Sequence, residues 1–252
     1  MKAIILAAGT GSRLYPYTKD KPKCLVELKG MSLLERQLKV LKGQDINDVT
    51  IIAGYLANML VLPEVKLRIN DRYRTTNMVW TLFSAEEDLV GECIIAYGDI
   101  VYSKKILASL LNEDADIAIT IDTNWKEYWG ARSDNPLDDA ETLKLDDEGY
   151  VIELGQKPES LEVIEGQYMG LMKFSQLGLI SLKSIFDEAC KRGDIKGKDI
   201  EQAYMTDLLQ LMIDSGCKIK AVPISDSWIE VDTVEDLESQ ITRDRVAQID
   251  NE

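Results

Sequence analysis

The chain has 252 residues, 45% of them hydrophobic, and a formal net charge of −15. This length suits one large α/β domain, and the hydrophobic share can build a sizeable core. The acidic charge argues against binding to nucleic acid or to an anionic membrane surface, because both need a basic face. No apolar run approaches the roughly 18 residues of a membrane-spanning helix. The first apolar run starts at residue 2, so no signal peptide is expected.

Histidine is absent from the chain. Nucleophile pairs and metal sites that depend on histidine are therefore excluded, which leaves carboxylates, lysine, arginine, backbone amides and a hard cation. Phosphoryl and nucleotidyl transfers need little more, because the protein mainly positions the reactants and neutralises charge. The four cysteines share no metal-like spacing and are expected to be reduced thiols of a cytoplasmic protein.

Short apolar runs recur along the chain and predict strands, and apolar positions at helical spacing between them predict helices. A capping box opens the first helix at Ser32, and Gly43 ends it. The predicted strands span 2–6, 26–28, 49–53, 65–69, 93–97, 117–121, 167–175, 218–224 and 228–232. The other predicted helices span 78–89, 106–111, 177–190, 201–215 and the chain from 234 onward.

The alternation of strands and helices predicts an α/β fold, with a Rossmann-like, mostly parallel mixed sheet and helices on both faces. Residues 142–145 and 150–154 flank an acidic turn and predict a hairpin within a small lobe. Residues 123–135 carry aromatic side chains without a clear period, so no regular element is predicted there. Sheets of this kind bind ligands at the carboxyl ends of their strands.

The loop after the first strand combines small residues with two cations. Gly9 and Gly11 allow tight torsions and close approach of backbone N–H groups to a ligand. Arg13 adds a fork of donors and Lys23 a point charge, and both groups suit phosphate. The pattern favours phosphate binding, although a lone Gly-x-Gly is also found in plain strand-to-helix turns.

Two other phosphate-binding motifs do not fit this loop. A dinucleotide fold needs a third glycine where Leu14 stands, and an acidic residue near the end of the second strand, which the segment 49–55 lacks. A P-loop needs Gly-Lys-Ser/Thr after the loop, and that sequence is also absent. A dehydrogenase is therefore disfavoured.

The whole N-terminal string is more specific than its glycines. Gly9-Thr10-Gly11-Ser12-Arg13, together with Pro16, Thr18 and Pro22-Lys23-Cys24-Leu25, resembles the signature of the nucleotidylyltransferases that activate sugar 1-phosphates and phosphocholine. The resemblance implies that Arg13 acts on the β- and γ-phosphates and that Lys23 bridges the reacting phosphates, which makes both catalytic. The expected nucleotide-binding residues are Leu6, Ala7, Ala8, Gly9, Thr10, Gly11, Arg13, Lys23, Gly54, Asn77 and Gly98.

The same resemblance implies a single nucleotidylyltransferase domain over residues 1–252. Residues 1–122 are expected to form the nucleotide-binding core and residues 123–232 the acceptor-binding part. Residues 233–252 are expected to form a C-terminal helix. The expected partners are a nucleoside triphosphate, with CTP favoured, and a small phosphorylated acceptor; a homodimer is allowed.

Asp99 and Asp232 each lie at the end of a predicted strand. Mg²⁺ favours a few carboxylates completed by phosphate oxygens and water, so this pair suits one ion beside a nucleotide. Each aspartate alone fits a helix cap or a turn equally well. The resemblance favours the metal, because Gly98-Asp99 and the segment 229–233 look like the two metal-binding positions of the family.

The acceptor-binding segments depart from the sugar enzymes. Lys157 resembles the family lysine that reaches the acceptor phosphate, but Gln156 replaces the acidic residue before it. The segments 166–170, which contains Tyr168, and 77–82 also lack the sugar-enzyme patterns. These departures favour a cytidylyltransferase acting on phosphocholine, a phosphonate or a similar phospho-compound. The alternatives are a sugar-1-phosphate nucleotidylyltransferase using UTP, dTTP or GTP, and an inactive nucleotide-binding regulator.

Trp125, Tyr128 and Trp129 lie close together in the sequence, with Glu127 and Asp134 nearby. Aromatic faces beside carboxylates attract quaternary ammonium groups, so the cluster is a candidate site for a cationic acceptor head group. The alternative is that these rings pack the segment onto the core.

Overall fold

Seven strands form one central sheet in the computed structural model, which describes residues 1–132 and 135–251. In spatial order the strands are β14 (Lys220–Ile224), β8 (Ile117–Asp122), β11 (Gln167–Phe174), β6 (Cys93–Tyr97), β1 (Lys2–Ala7), β4 (Asp48–Ala53) and β5 (Lys66–Ile69). Only β11 pairs antiparallel with its neighbours in this sheet. The predicted mostly parallel mixed sheet is therefore confirmed.

Shorter strands form four two-stranded ladders in the described part of the chain. These ladders pair β2 (Glu27–Leu28) with β3 (Met31–Ser32), β7 (Ile100–Tyr102) with β15 (Trp228–Glu230), β9 (Leu143–Leu145) with β10 (Val151–Leu154), and β12 (Asp194–Ile195) with β13 (Lys198–Asp199). The ladder of β9 and β10 is the hairpin predicted around the acidic turn.

The helices are α1 (Leu33–Lys42), α2 (Met78–Phe83), α3 (Lys104–Leu111), α4 (Trp125–Arg132), α5 (Gln176–Arg192), α6 (Met205–Asp214), α7 (Val234–Glu238) and α8 (Gln240–Asn251). The predicted capping box of α1 is present, since Glu35 N–H donates to Ser32 Oγ and Ser32 N–H donates to the Glu35 carboxylate. Among the described residues, every helix is too short or too polar to cross a bilayer.

Both faces of the sheet carry helices, as the alternation of elements predicts. In β1, Ala3 and Ile5 pack on one side with α1, α3, α4 and α8, whereas Ile4 and Leu6 pack on the other with α2, α5 and α6. Burial on both faces explains why the strand reads as a continuous apolar run. All four cysteines are free, and Cys24 and Cys93 are buried.

The clearest differences from the sequence-based predictions concern three helical segments. Helix α4 forms where no regular element was predicted, because its aromatic residues become buried and hide any amphipathic pattern. Helix α2 ends at Phe83 rather than near 89, and a short 3-10 turn follows. The expected single C-terminal helix is divided into α7 and α8, because Ser239 adopts an extended conformation.

The parallel register of β1, β4 and β6 aligns the ends of these strands. Ala7 lies opposite Ala53, and Leu6 lies opposite Tyr97. The loops that follow the three strands therefore meet at one edge of the sheet. Gly98 packs so closely there that an added Cβ would lie 2.8 Å from the Leu6 carbonyl oxygen.

We expect Gly98→Ala to lower the free energy of unfolding by about 1–3 kcal/mol, the usual cost of inserting an atom into a packed site. Thermal and urea unfolding measure this loss. Gly130→Ala is the matched control, because this helical glycine has open space around its added Cβ. The control should be neutral or slightly stabilising. Equal stability of the two variants would contradict the close packing at Gly98.

Candidate active site

A cleft of about 300 Å³ opens at the carboxyl ends of β1 and β6. Most of the residues predicted to bind nucleotide or metal line it. These residues are Leu6, Ala7, Ala8, Gly9, Gly11, Arg13, Lys23, Asn77, Gly98, Asp99 and Asp232. Parallel sheets bring ligand-binding loops to this edge because their strand ends are aligned.

The glycine loop is shaped by contacts behind it. Gly11 has a φ of 60°, and an added Cβ would lie 3.0 Å from side-chain carbons of both Lys23 and Thr18. The Thr18 hydroxyl donates a hydrogen bond of 2.8 Å to the Gly11 carbonyl. Glycine is therefore needed at position 11 for its conformation and for its size. An added Cβ on Gly9 meets nothing within 4 Å, so this glycine faces open space.

A backbone ladder brings Asp99 and Asp232 together from distant parts of the chain. The antiparallel ladder of β7 and β15 pairs Ile100 with Glu230. The pairing continues past the strand ends, because Val231 N–H donates to the Asp99 carbonyl at 3.0 Å. The two aspartates consequently emerge side by side at the floor of the cleft.

Lys23 lies between these two aspartates. Its ammonium donates to Asp99 Oδ2 at 2.7 Å and also to Asp232 Oδ1. Arg13 forms an ion pair with the second oxygen of Asp232, while its own side chain is 64% exposed. The cluster therefore contains two cations and two carboxylates, and one of the cations faces the open cleft.

Burial alone would lower the pKa of Lys23. The adjacent carboxylates of Asp99 and Asp232 outweigh burial and raise the pKa above its ordinary value. Lys23 consequently keeps its positive charge at neutral pH. The cleft thus presents a fixed cation beside the glycine loop.

The two aspartates suit a hard divalent cation. Asp99 Oδ1 is buried and has no hydrogen-bond partner within residues 1–132 and 135–251, so one carboxylate oxygen has a free lone pair. No group of three or more possible metal-ligating acidic, cysteine or histidine side chains occurs in those ranges. Two carboxylates completed by phosphate oxygens and water are the arrangement that Mg²⁺ favours.

Two predicted nucleotide residues do not line the cleft. Thr10 is exposed on the loop. Gly54 lies behind the cleft, where an added Cβ would be 2.5 Å from Tyr73 Cβ and 2.7 Å from the Ala8 carbonyl. The role of Gly54 seen here is close packing beneath the loop.

Other lining residues were not found from the sequence. They are Ser12, Cys24, Tyr73, Thr76, Met78, Thr81 and Tyr204. Tyr204 reaches the cleft because the start of α2 is bonded to the segment before α6, with Asn77 N–H donating to the Glu201 carbonyl at 2.7 Å. No local pattern around position 204 signals this long-range contact.

Lys157 lies outside the cleft, on a second cavity of about 270 Å³. That cavity is lined by Leu137, Asp138, Asp139, Ala140, Glu141, Gly155, Gln156 and Lys157. The start of α6 lies between the two cavities, because Tyr204 lines the first and Thr206 packs against Gly155 of the second. The cavity that contains Lys157 and the cleft that contains the glycine loop therefore both adjoin the start of α6.

The structure corrects the assignment of Trp125, Tyr128 and Trp129 to acceptor binding. Each side chain is at most 5% exposed, and all three belong to the main hydrophobic core. None of them lines either cavity, so the packing alternative is the one observed. Asp134, the acidic neighbour in that prediction, lies outside the described residues.

The aromatic cluster nevertheless contacts cations, which come from the protein itself. The Arg132 guanidinium lies 5.1 Å from the Tyr128 ring centre and 5.2 Å from that of Trp129. Arg245 lies 4.1 Å from the Tyr128 ring centre. These internal guanidiniums make the cation–π contacts that were predicted for a ligand.

Tyr168 is half-buried and lines neither cavity. Its ring packs edge-on against Tyr97, with ring centres 5.8 Å apart, and its hydroxyl donates to Met172 Sδ. The contacts observed for Tyr168 therefore support the core of the sheet rather than an acceptor site.

Comparisons with known proteins bear on the family of the chain. Residues 3–152 match the MobA-like NTP transferase domain family. The chain is 40% identical to the CTP:phosphoglutamine cytidylyltransferase of Campylobacter jejuni, over 96% of this chain and all of that protein. It is also 43% identical, over 38% of this chain and 43% of the relative, to the choline-phosphate cytidylyltransferase of Streptococcus pneumoniae.

The fold has a close counterpart among solved structures. The CTP:phosphocholine cytidylyltransferase of Streptococcus pneumoniae superposes with a TM-score of 0.70 at 21% identity, covering 97% of this chain and 98% of that one. At this identity the superposition supports the fold alone. The family match and the full-length relative show that the chain belongs to the MobA-like NTP transferase family and is a nucleotidyltransferase.

Proposed function

We propose that this enzyme transfers CMP from CTP to a small phosphorylated acceptor and releases pyrophosphate. The observation that carries the proposal is the juxtaposition of Lys23, Asp99 and Asp232 beside an open glycine loop. The similarity to a cytidylyltransferase over nearly the whole chain supports CTP as the donor. A bifunctional sugar-1-phosphate nucleotidylyltransferase/acetyltransferase of Sulfurisphaera tokodaii, 27% identical over 92% of this chain and 52% of the relative, gives weaker support to a sugar 1-phosphate acceptor.

In the proposed reaction an acceptor phosphate oxygen attacks the α-phosphorus of CTP in line with the leaving group. The bond from this phosphorus to the bridging oxygen breaks, and pyrophosphate leaves with that electron pair. No protein base is required, because a phosphate monoester is largely ionised near neutral pH. The role of the protein is to align the two phosphates and to neutralise their charge.

Three groups of this chain divide the phosphate charge between them. Arg13, whose side chain is 64% exposed and pairs with Asp232 at the open side of the cleft, is proposed to bind the β- and γ-phosphates. The N–H groups of the glycine loop approach the same phosphates. Lys23 keeps its positive charge, so its ammonium can bind the α-phosphate and the attacking oxygen. Mg²⁺ held by Asp99 and Asp232 would supply further electrophilic stabilisation of the α-phosphate.

The acceptor is proposed to be amine-like, in the class of phosphorylated amino compounds. The second cavity combines Lys157, suited to a phosphate, with the carboxylates of Asp138 and Asp139, suited to an ammonium. Burial of the aromatic cluster removes the main sequence argument for a quaternary ammonium. The full-length relative acts, by its name, on phosphoglutamine, which makes that compound the first acceptor to test.

A matrix of nucleotides and acceptors tests the proposal directly. CTP, UTP, dTTP, GTP and ATP are each combined with phosphoglutamine, phosphocholine, 2-aminoethylphosphonate and glucose 1-phosphate, and pyrophosphate release is measured. We expect the highest kcat/KM with CTP and one of the amino compounds. Preference for a sugar phosphate with UTP, dTTP or GTP would favour the sugar alternative, and binding of CTP without turnover would favour a regulator.

We expect Lys23→Ala to lower kcat by at least about 100-fold, because it removes a charge placed on the reacting phosphates. The variant should also unfold at a lower temperature in EDTA, since it leaves the buried Asp99 carboxylate without its ammonium. Added Mg²⁺ should restore more of the melting temperature in this variant than in the wild type. Lys19→Ala, at an exposed lysine of the same segment, is the control. Normal turnover by Lys23→Ala would exclude a catalytic role for Lys23.

Glu141 provides a pH-dependent test of the second cavity. Burial raises its pKa to about 7, the carboxylates of Asp207 and Asp139 add to the rise, and Thr206 and Lys198 oppose it. The fold therefore favours the protonated form of Glu141. Protonation of Glu141 therefore favours the folded state. This stabilisation is complete below the unfolded pKa of 4.5, and it is lost as the pH rises through the folded pKa of about 7, because the buried carboxyl group then ionises.

Glu141→Gln should consequently gain stability relative to the wild type as the pH rises from 5 to 8. We expect the difference in melting temperature to shift in favour of the variant by about 2–4 °C, equivalent to about 1 kcal/mol in a chain of this size. Calorimetry at both pH values measures it, with Glu159→Gln, at an exposed glutamate, as the control. A difference that does not change with pH would refute the raised pKa.

A further inference from the structure

Arg132, the last residue of α4, has a buried guanidinium that no part of the proposed mechanism uses. Its side chain is 7% exposed. Nε and Nη2 donate to the two carboxylate oxygens of Asp236 at 2.8 and 3.2 Å, and Nη1 donates to Glu230 Oε2 at 2.9 Å. Tyr128 and Trp129 stack against the guanidinium, with ring centres 5.1 and 5.2 Å away.

The two carboxylates bound by Arg132 flank Asp232 in the sequence. Asp236 Oδ2 accepts hydrogen bonds of 2.9 Å from the backbone N–H groups of both Asp232 and Thr233. Glu230 ends β15 and pairs with Ile100, the residue after Asp99. Arg132 thus connects the turn that carries one aspartate with the ladder that holds the other.

The geometry calls for arginine in particular. A buried carboxylate, that of Asp236, and a half-buried one, that of Glu230, approach from different elements, and a planar fork can satisfy both of them, with a two-oxygen contact to Asp236. A lysine offers a single point charge and cannot reproduce these contacts in one conformation. The rings of Tyr128 and Trp129 restrict where the guanidinium can lie.

We propose that Arg132 is a positioning residue that holds the Asp232 turn in place, so that the Asp232 carboxylate stands beside Asp99. This inference rests on the proposed function, in which these two carboxylates share a divalent cation. Loss of the Arg132 guanidinium leaves the Asp236 carboxylate without this partner, so the backbone at Asp232 and Thr233 is held less firmly. The consequence is weaker binding of the cation, together with a lower kcat at limiting metal.

The test measures metal binding directly, by titrating Mn²⁺ into the full-length enzyme with and without CTP and following free Mn²⁺ by electron paramagnetic resonance. Arg132→Lys keeps the charge without the fork, and Asp236→Asn weakens the same contact from the other side. We expect each variant to raise the Kd for Mn²⁺ in the presence of CTP at least tenfold. The Mg²⁺ concentration for half-maximal pyrophosphate release should rise in parallel.

Arg245→Met is the matched control. Arg245 is also buried and contacts the same Tyr128 ring, but its Nη1 donates to the Trp228 carbonyl at 3.3 Å rather than to Asp236. The Arg245→Met variant should have a lower melting temperature, but its Kd for Mn²⁺ should stay within twofold of the wild-type value. The control therefore separates the loss of a buried cation from the loss of metal positioning.

Wild-type affinity for Mn²⁺ in folded Arg132→Lys and Asp236→Asn would overturn the inference while leaving the proposed function intact. An equal loss in Arg245→Met would overturn it too, because the effect would then be general to the core. Absence of Mn²⁺ binding and of turnover with CTP in the wild type would instead refute the proposed function, and the inference with it.

Discussion

Two carboxylates held close together in a partly buried cleft repel each other unless a cation lies between them. In this protein the cation is Lys23, which contacts both Asp99 and Asp232, and Arg13 completes the balance from the solvent side. The same arrangement suits a reaction between polyanions, since its charges can be redistributed once phosphates and a divalent cation enter. The rest of the fold holds these four side chains in place.

Backbone pairing between strands holds most of these side chains in place. The register of β1 with β4 and β6 brings the glycine loop beside Gly98 and Asp99, and the ladder of β7 and β15 brings Asp232 to the same point. Close packing makes the edge rigid, because the glycines at 54 and 98 have backbone carbonyl oxygens under 3 Å from where a Cβ would lie. A site built on strand ends in this way is better defined than one carried by free loops.

The aromatic cluster of α4 contacts an arginine of the protein itself rather than a ligand. Tyr128 and Trp129 do contact a cation, but that cation is Arg132, whose partners Glu230 and Asp236 flank the Asp232 turn. The cluster therefore belongs to the support of the proposed metal site rather than to the acceptor site. This leaves recognition of the acceptor to other groups, of which the acidic second cavity beside Lys157 is the candidate.

Features that depend on near neighbours in the chain could be predicted from the sequence. The buried strand β1, the glycine loop, the capping box of α1 and the mostly parallel sheet all follow from apolar periodicity and local torsional preference. The resemblance of the N-terminal string also identified the family, because its residues lie within one short segment. Those signals need no knowledge of distant residues.

The geometry of the site depends on contacts between residues that are far apart in the chain, which no local pattern reveals. The contact of Lys23 with Asp99 and Asp232 joins residues up to 209 positions apart, and it depends on strand register rather than on any local pattern. The helical state of Trp125–Arg132 came from burial of its aromatic residues, which overrides the weak periodicity of that segment. The location of Lys157 in a separate cavity likewise depends on where α6 packs, because Thr206 contacts Gly155 across a long separation in the chain.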